Sequence, residues 1–297
     1  MGSSCAITLL FVPWENRNIR RPDALDMSVD LIFEPLDGAM PVRTVAFLHG
    51  ILGRGMNLRA IAKRLVEVRP AWQALLVDLR GHGRSPKGTA SPSLEAAARD
   101  VAALADKTDL PLAAIVGHSF GGKVALEAAR IGPLPSLEQV VVIDSVPGPR
   151  APLRGGDSAL GVIETLESLP SVFRSKSDFI HALMAAGQSR TVAEWLATSL
   201  ERHDGQFRFG LDLNEIRALI LDYFERDLWP VVENPPGTTN VHLIIAEQSD
   251  AYSPVDRERA MRIAASTSRV TADIISGGHW LHVDNPGGLL DSLLFSL

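Results

Sequence analysis

Leu112-Ala113-Ala114-Ile115-Val116-Gly117-His118-Ser119-Phe120-Gly121-Gly122-Lys123, continuing through Val124 to Arg130, is the stretch whose reading decides the fold. Leu112 to Gly117 is an apolar run that reads as a buried strand, and Lys123 to Arg130 carries a helical pattern. The G-x-S-x-G between them therefore sits at a strand-to-helix turn, the context that gives this motif chemical meaning. A serine there must take a strained backbone, and its neighbours must be small because strand and helix approach closely. The turn exposes the hydroxyl above the C-terminal edge of the sheet, next to the positive end of the following helix, which favours a developing oxyanion. Ser119 is the candidate nucleophile. Gly117 to Lys123 also spells the first seven positions of a phosphate-binding loop. Val124 stands where that loop needs a hydroxyl for magnesium, and no acidic residue is placed as the second metal ligand, so a nucleotide site is set aside.

Outward from this turn the same alternation recurs. Thr44 to His49, Gln73 to Asp78, Gln139 to Asp144, Val241 to Ala246 and Arg269 to Ile275 are short apolar runs bounded by turn residues. Leu58, Ile61, Leu65 and Val68 mark one amphipathic helix; Leu94, Ala97, Val101 and Leu104 mark another. Ser91-Pro92 and Asn285-Pro286 have the form of helix starts. Strands alternating with helices predict an α/β fold with a mostly parallel sheet covered on both faces. The alternation stops between Pro147 and Pro236, where helical patterns over Val162 to Leu169, Phe179 to Ala186, Val192 to Leu200 and Ile216 to Val232 come without a strand. Residues 147–236 are expected to form a helical cap inserted into a core built from residues 1–146 and 237–297. Trp195, Phe207, Phe209, Tyr223, Phe224 and Trp229 are candidates for lining an apolar pocket, though such residues more often fill the core.

A weak serine nucleophile needs a base, and the base needs a carboxylate. His279, in Gly277-Gly278-His279-Trp280 after the last strand, fits as base, while His282 is read as a packing or surface histidine. For the acid, Asp250 after the strand Val241 to Ala246 is the first choice and Asp144 after Gln139 to Asp144 the alternative, since both end strands at the edge where sites form. The backbone N–H of Phe120, with that of Ile51 in His49-Gly50-Ile51-Leu52-Gly53, is the expected oxyanion hole.

Composition narrows the classes further. The chain has 297 residues, 46% hydrophobic and 22% charged, which excludes disordered and fibrous classes. A net charge of −6 without a basic run argues against nucleic acid as partner. The single cysteine, Cys5, makes an internal disulfide impossible, and neither HExxH nor paired CxxC occurs, so no metal or other cofactor is expected. Cys5 to Pro13 is apolar but too short to span a bilayer and lacks a basic leader, so it reads as a strand and not a signal peptide. Ala6 stands where an N-myristoylation motif wants Ser or Thr. Cytoplasm is the default location on these grounds.

Phe47-Leu48-His49-Gly50, Asp78-Leu79-Arg80-Gly81-His82-Gly83-Arg84-Ser85, Gly117 to Gly122 and Gly278-His279, in this order, resemble the landmarks of the α/β-hydrolase superfamily. The resemblance implies an eight-stranded, mostly parallel sheet, a helical cap after the sixth strand and a Ser-acid-His triad. In many members the acid lies four residues before a proline after the seventh strand, as Asp250 and Pro254 do. Some small esterases instead use the aspartate after the sixth strand, with a serine near the usual acid position, where this chain has Ser249. The activity expected is hydrolysis of small-molecule carboxylic esters by Ser119. Thioesterase, lactonase, perhydrolase and carbon-carbon hydrolase activities on the same triad are alternatives, as is a hydrolase-fold receptor that binds a ligand.

Overall fold

Runs such as Val45-Ala46-Phe47-Leu48 and Ala113-Ala114-Ile115-Val116 bury every residue, so they can only be strands with a packed layer on each side. The computed structural model describes residues 27–32, 40–132, 134–152 and 158–297. Its elements up to the turn at Ser119 are β1 (Val29–Ile32), β2 (Arg43–Leu48), α1 (Arg59–Val68), β3 (Trp72–Val77), α2 (Leu94–Leu104) and β4 (Leu112–His118). Then come α3 (Phe120–Ile131) and β5 (Gln139–Ile143), and after a long excursion β8 (Asn240–Ala246), α9 (Pro254–Ser266), β9 (Val270–Ile275), α10 (Leu281–Asp284) and α11 (Pro286–Ser296). The sheet order is β1-β3-β2-β4-β5-β8-β9. β1 pairs antiparallel with β3 and every other pairing is parallel. The chain is thus an α/β protein as its patterning predicts. The described residues contribute seven strands to this sheet; Cys5 to Pro13, read as a further strand, lies outside them.

Alternate residues of each strand feed two cores. Ala46, Leu48, Ile115, Val140, Val142 and Leu243 pack with α2, α3 and the excursion on one face. Val45, Phe47, Ala114, Val116, Val141 and Ile244 pack with α1 and α11 on the other. Emptying one such position, as in Phe47→Ala, removes about 3–5 kcal/mol.

The excursion between β5 and β8 holds α4 (Ala159–Ser168), α5 (Lys176–Ala185), α6 (Arg190–Leu196), β6 (Leu200–His203), β7 (Gln206–Phe209), α7 (Leu213–Glu225) and α8 (Trp229–Glu233). Two details correct the sequence reading. β6 and β7 form an antiparallel hairpin where no strand was expected, turning on Asp204 (φ 48°) and Gly205 (φ 79°). The single helix expected over Ile216 to Val232 is two, because Arg226 leaves the helical region (ψ 128°) and Asp227 then accepts from the Trp229 N–H at 3.0 Å. A third correction concerns α2, whose cap is Ser93, accepting from Ala96 N–H, and not Ser91. Asn285 caps α11 as expected, accepting from Gly288 N–H.

Candidate active site

Ser119 occupies the turn between β4 and α3 with φ 52° and ψ −119°, a conformation that costs of order 1–3 kcal/mol for a residue with a side chain. Glycines make the turn sterically possible. A Cβ on Gly117 would lie 2.1 Å from the Gly121 carbonyl oxygen, and one on Gly121 would lie 2.5 Å from that of Leu48. Strand, helix start and the end of β2 are therefore in backbone contact, and Ser119 N–H is tied to Ile143 O of β5 at 2.9 Å.

His279 stands on the turn between β9 and α10, its Nε2 3.0 Å from Ser119 Oγ. Its Nδ1 lies 2.6 Å from Asp144 Oδ2. Asp144 is fully buried at the C-terminal end of β5, with φ 45°. Its own N–H donates to Ile244 O at 2.7 Å and its Oδ1 accepts from Ala246 N–H at 3.0 Å, so β8 fixes the carboxylate from below. The first choice from sequence, Asp250, is not the residue brought to the histidine. It sits exposed on the turn after β8, lining the same cavity, while the left-handed backbone of Asp144 swings that carboxylate over the sheet edge. Ser249 is buried beside it and accepts from Ala251 N–H at 3.1 Å.

Most amides of the loop after β2 are already taken. Leu52 N–H goes to His82 Nε2, Gly53 N–H to Gly50 O, Arg54 N–H to Asn57 Oδ1 and Gly55 N–H to Asp78 Oδ1. Among the described residues the Ile51 N–H has no such partner, nor does the Phe120 N–H at the start of α3. A Cβ on Gly50 would come within 3.3 Å of Ser119 Cβ, which brings this loop against Ser119.

Three histidines that sequence reasoning left without a role hold this frame. His49 donates from Nδ1 to Gly50 O and accepts Leu79 N–H on Nε2; His82 donates from Nδ1 to Arg80 O. Both pairs of bonds require a neutral ring, and burial provides it, lowering His49 to about 4 and His82 to about 3. His118 donates from Nε2 to the His279 carbonyl at 2.8 Å, fixing the backbone of His279. Burial, then the charges of His279 and His282, hold it well toward the neutral form. His282, read as a packing or surface histidine, is half-buried: it lies edge-on to His118 at 5.2 Å, lines the cavity, and is lowered to about 4 by burial. The signal for these roles was present in His49-Gly50 and Gly117-His118-Ser119, but neighbouring residues in sequence do not reveal partners across the sheet.

The cavity above Ser119 measures about 570 Å³. Val162, Val192, Trp195, Ile220, Tyr223 and Phe224 from the excursion form its apolar wall, with Trp280 from the core side. Of the aromatics expected there, Phe207 and Phe209 instead join the core of the excursion, Phe209 stacking on Phe179 at 5.9 Å. Trp229 is buried against Gly148. Lys123, the lysine of the phosphate-loop reading, points away from any loop ligand. It is buried and donates to the carbonyls of Gly148, Tyr223 and Arg226 at 2.7–2.8 Å. No helix among the described residues is long and apolar enough to cross a membrane.

Comparison with known proteins agrees with this architecture. Residues 45–292 match the model of the alpha/beta hydrolase family. The chain is 27% identical to the mouse sn-1-specific diacylglycerol lipase ABHD11 over 89% of its own length and 83% of that protein. It is 24% identical to esterase YbfF of Escherichia coli, over 84% of this chain and 91% of that one. A solved marine microorganism esterase superposes with a TM-score of 0.76 at 23% identity, covering 92% of this chain and all of the other.

Proposed function

Because the chain belongs to the alpha/beta hydrolase family and is a hydrolase, we propose that it cleaves carboxylic esters through an acyl-enzyme formed on Ser119. The observation that carries this reading is the line of contacts from Ser119 Oγ through His279 to Asp144, opening into an apolar cavity. His279 Nε2 takes the Ser119 proton as Oγ attacks the acyl carbon, and Asp144 holds the Nδ1–H tautomer and offsets the imidazolium charge. The amides of Ile51 and Phe120 receive the oxyanion, with the N-terminus of α3 adding its partial charge. The alcohol leaves with the proton from Nε2. Water then repeats the sequence on the acyl-enzyme, with His279 again as base. The inserted elements act as a cap: their apolar side chains exclude water and favour small or medium acyl chains over bulky ones. The lipase and esterase activities in the names of ABHD11 and YbfF support the same substrate class.

The test is hydrolysis of p-nitrophenyl esters of increasing acyl length by wild type and by Ser119→Ala at equal folded concentration. Turnover that falls to background in Ser119→Ala is expected, with an optimum among the shorter chains. A folded wild type that turns over no ester yet is labelled at Ser119 by a fluorophosphonate would keep the nucleophile and overturn the ester assignment.

A further inference from the structure

Among the described residues, besides the histidines, two charged residues line the cavity, Arg150 and Asp250. Arg150 is held from both sides of the site. Its N–H donates to Phe224 O at 3.0 Å, its guanidinium lies 5.9 Å from the Phe224 ring, and Nη1 reaches the Ala251 carbonyl at 3.4 Å. Several arginines answer carboxylates directly, as Arg80 does with Asp100, Arg130 with Glu127 and Arg259 with Glu233, while Arg257 and Arg269 each spend their donors on three backbone carbonyls. Among the described residues Arg150 has no carboxylate within ion-pair distance; its single hydrogen bond from the guanidinium is the long one to Ala251. A guanidinium with most of its fork unused, on the wall of a reaction cavity with aliphatic and aromatic sides, is a receptor for a planar anion.

We propose that Arg150 selects esters that bear a carboxylate; this rests on the ester-hydrolase reading above. The anion would use two parallel N–H donors, and the surrounding apolar wall strengthens the attraction by excluding water. Lys123 does not line the cavity and does not compete for the anion, because its own donors are taken by three carbonyls. Asp250 limits the class. One negative charge is matched by Arg150, whereas a dianionic phosphate would also face the Asp250 carboxylate across the same cavity.

The experiment compares kcat/KM for methyl hydrogen glutarate with dimethyl glutarate, and for 4-acetoxybutanoate with its methyl ester, by proton release at constant pH. One pair carries the anion on the acyl side and the other on the alcohol side. Wild type is expected to prefer the anionic member of at least one pair by about tenfold or more, as loss of a desolvated charge pair implies. Arg150→Gln brings that ratio to within about threefold of unity, and Arg150→Lys, which keeps the charge without the fork, gives an intermediate ratio. Turnover of the neutral esters by each variant reports that it is folded. No anionic preference in wild type, or a preference that survives Arg150→Gln, would overturn the proposal. If wild type hydrolyses none of the four, the p-nitrophenyl ester assay judges the esterase reading separately and the subsite is judged by binding alone. Glutarate raising the melting temperature of Ser119→Ala but not of Ser119→Ala/Arg150→Gln supports it, and equal shifts reject it.

Discussion

Asp144→Asn removes one negative charge and leaves the shape of the site intact. The amide oxygen can keep the 3.0 Å bond from Ala246 N–H, which turns the amide NH2 toward His279 Nδ1, where the carboxylate oxygen now stands at 2.6 Å. An amide donor there forces the proton onto Nε2, the nitrogen that must accept from Ser119. The imidazolium of the transition state also loses its counter-charge. With charge centres about 4 Å apart and an effective dielectric near 20, that loss is about 4 kcal/mol, or about three decades in rate. The wrong tautomer carries the expected loss in turnover number to about 10⁴-fold. Asp250→Asn, at an exposed position with no contact to the imidazole, is expected to change turnover of a neutral ester by less than about threefold. The assay is turnover of p-nitrophenyl butyrate by both variants, with reactive sites counted by fluorophosphonate and folding checked by circular dichroism. A larger loss in Asp250→Asn than in Asp144→Asn would refute the reasoning and return the acid role to Asp250.

Two further outcomes concern stability. His49 and His82 have folded-state values near 4 and 3, below an unfolded value of about 6.5, so between these limits the unfolded chain binds protons that the folded chain does not. Their contribution is complete above about pH 6.5 and declines as pH falls towards 4, by up to about 1.4 kcal/mol per pH unit for each. Urea unfolding between pH 7.5 and 4.5 measures this, and a flat profile, or a slope unchanged in His82→Gln, would contradict it. Lys123→Met leaves the carbonyls of Gly148, Tyr223 and Arg226 without a donor and is expected to lower stability by about 2 kcal/mol. An increase in urea midpoint would mean that burying the amine costs more than its bonds return.

Ser119 and His279 were legible because a strand, a tight turn and a histidine after the last strand are local patterns. The same holds for the central strands, whose residues are buried on both faces and so read as continuous apolar runs. β1 escaped because Val29 to Ile32 is a half-exposed edge strand with no such run. β6 and β7 escaped because Glu201, Arg202, His203 and Arg208 look like a solvated loop, although Asp204-Gly205 is the dipeptide that a tight hairpin turn prefers. Between Asp144 and Asp250 local pattern could not decide. Both follow a strand, and what separates them is a positive φ at Asp144 and its contacts with β8, neither of which is written in the residues alongside it. Arg150 and His118 were missed for a related reason: each acts through a partner far away in the chain, Ala251 for one and His279 for the other.

The pairing of β5 with β8, Ile143 opposite Ile244, also governs the order in which the molecule is made. All of α4 to α8 must be looped out before these strands can meet, and closing a flexible loop of that length costs roughly 4 kcal/mol in chain entropy. β2 to β5 with their helices can pair through shorter separations and are free to collect first. Until β8 arrives, Asp144 has neither Ile244 nor Ala246 to hold it, and β9 cannot deliver His279. A half-folded chain therefore carries the Ser119 turn without His279 beside it. It also shows the bare edge of β5, an open invitation to pair with a neighbouring chain.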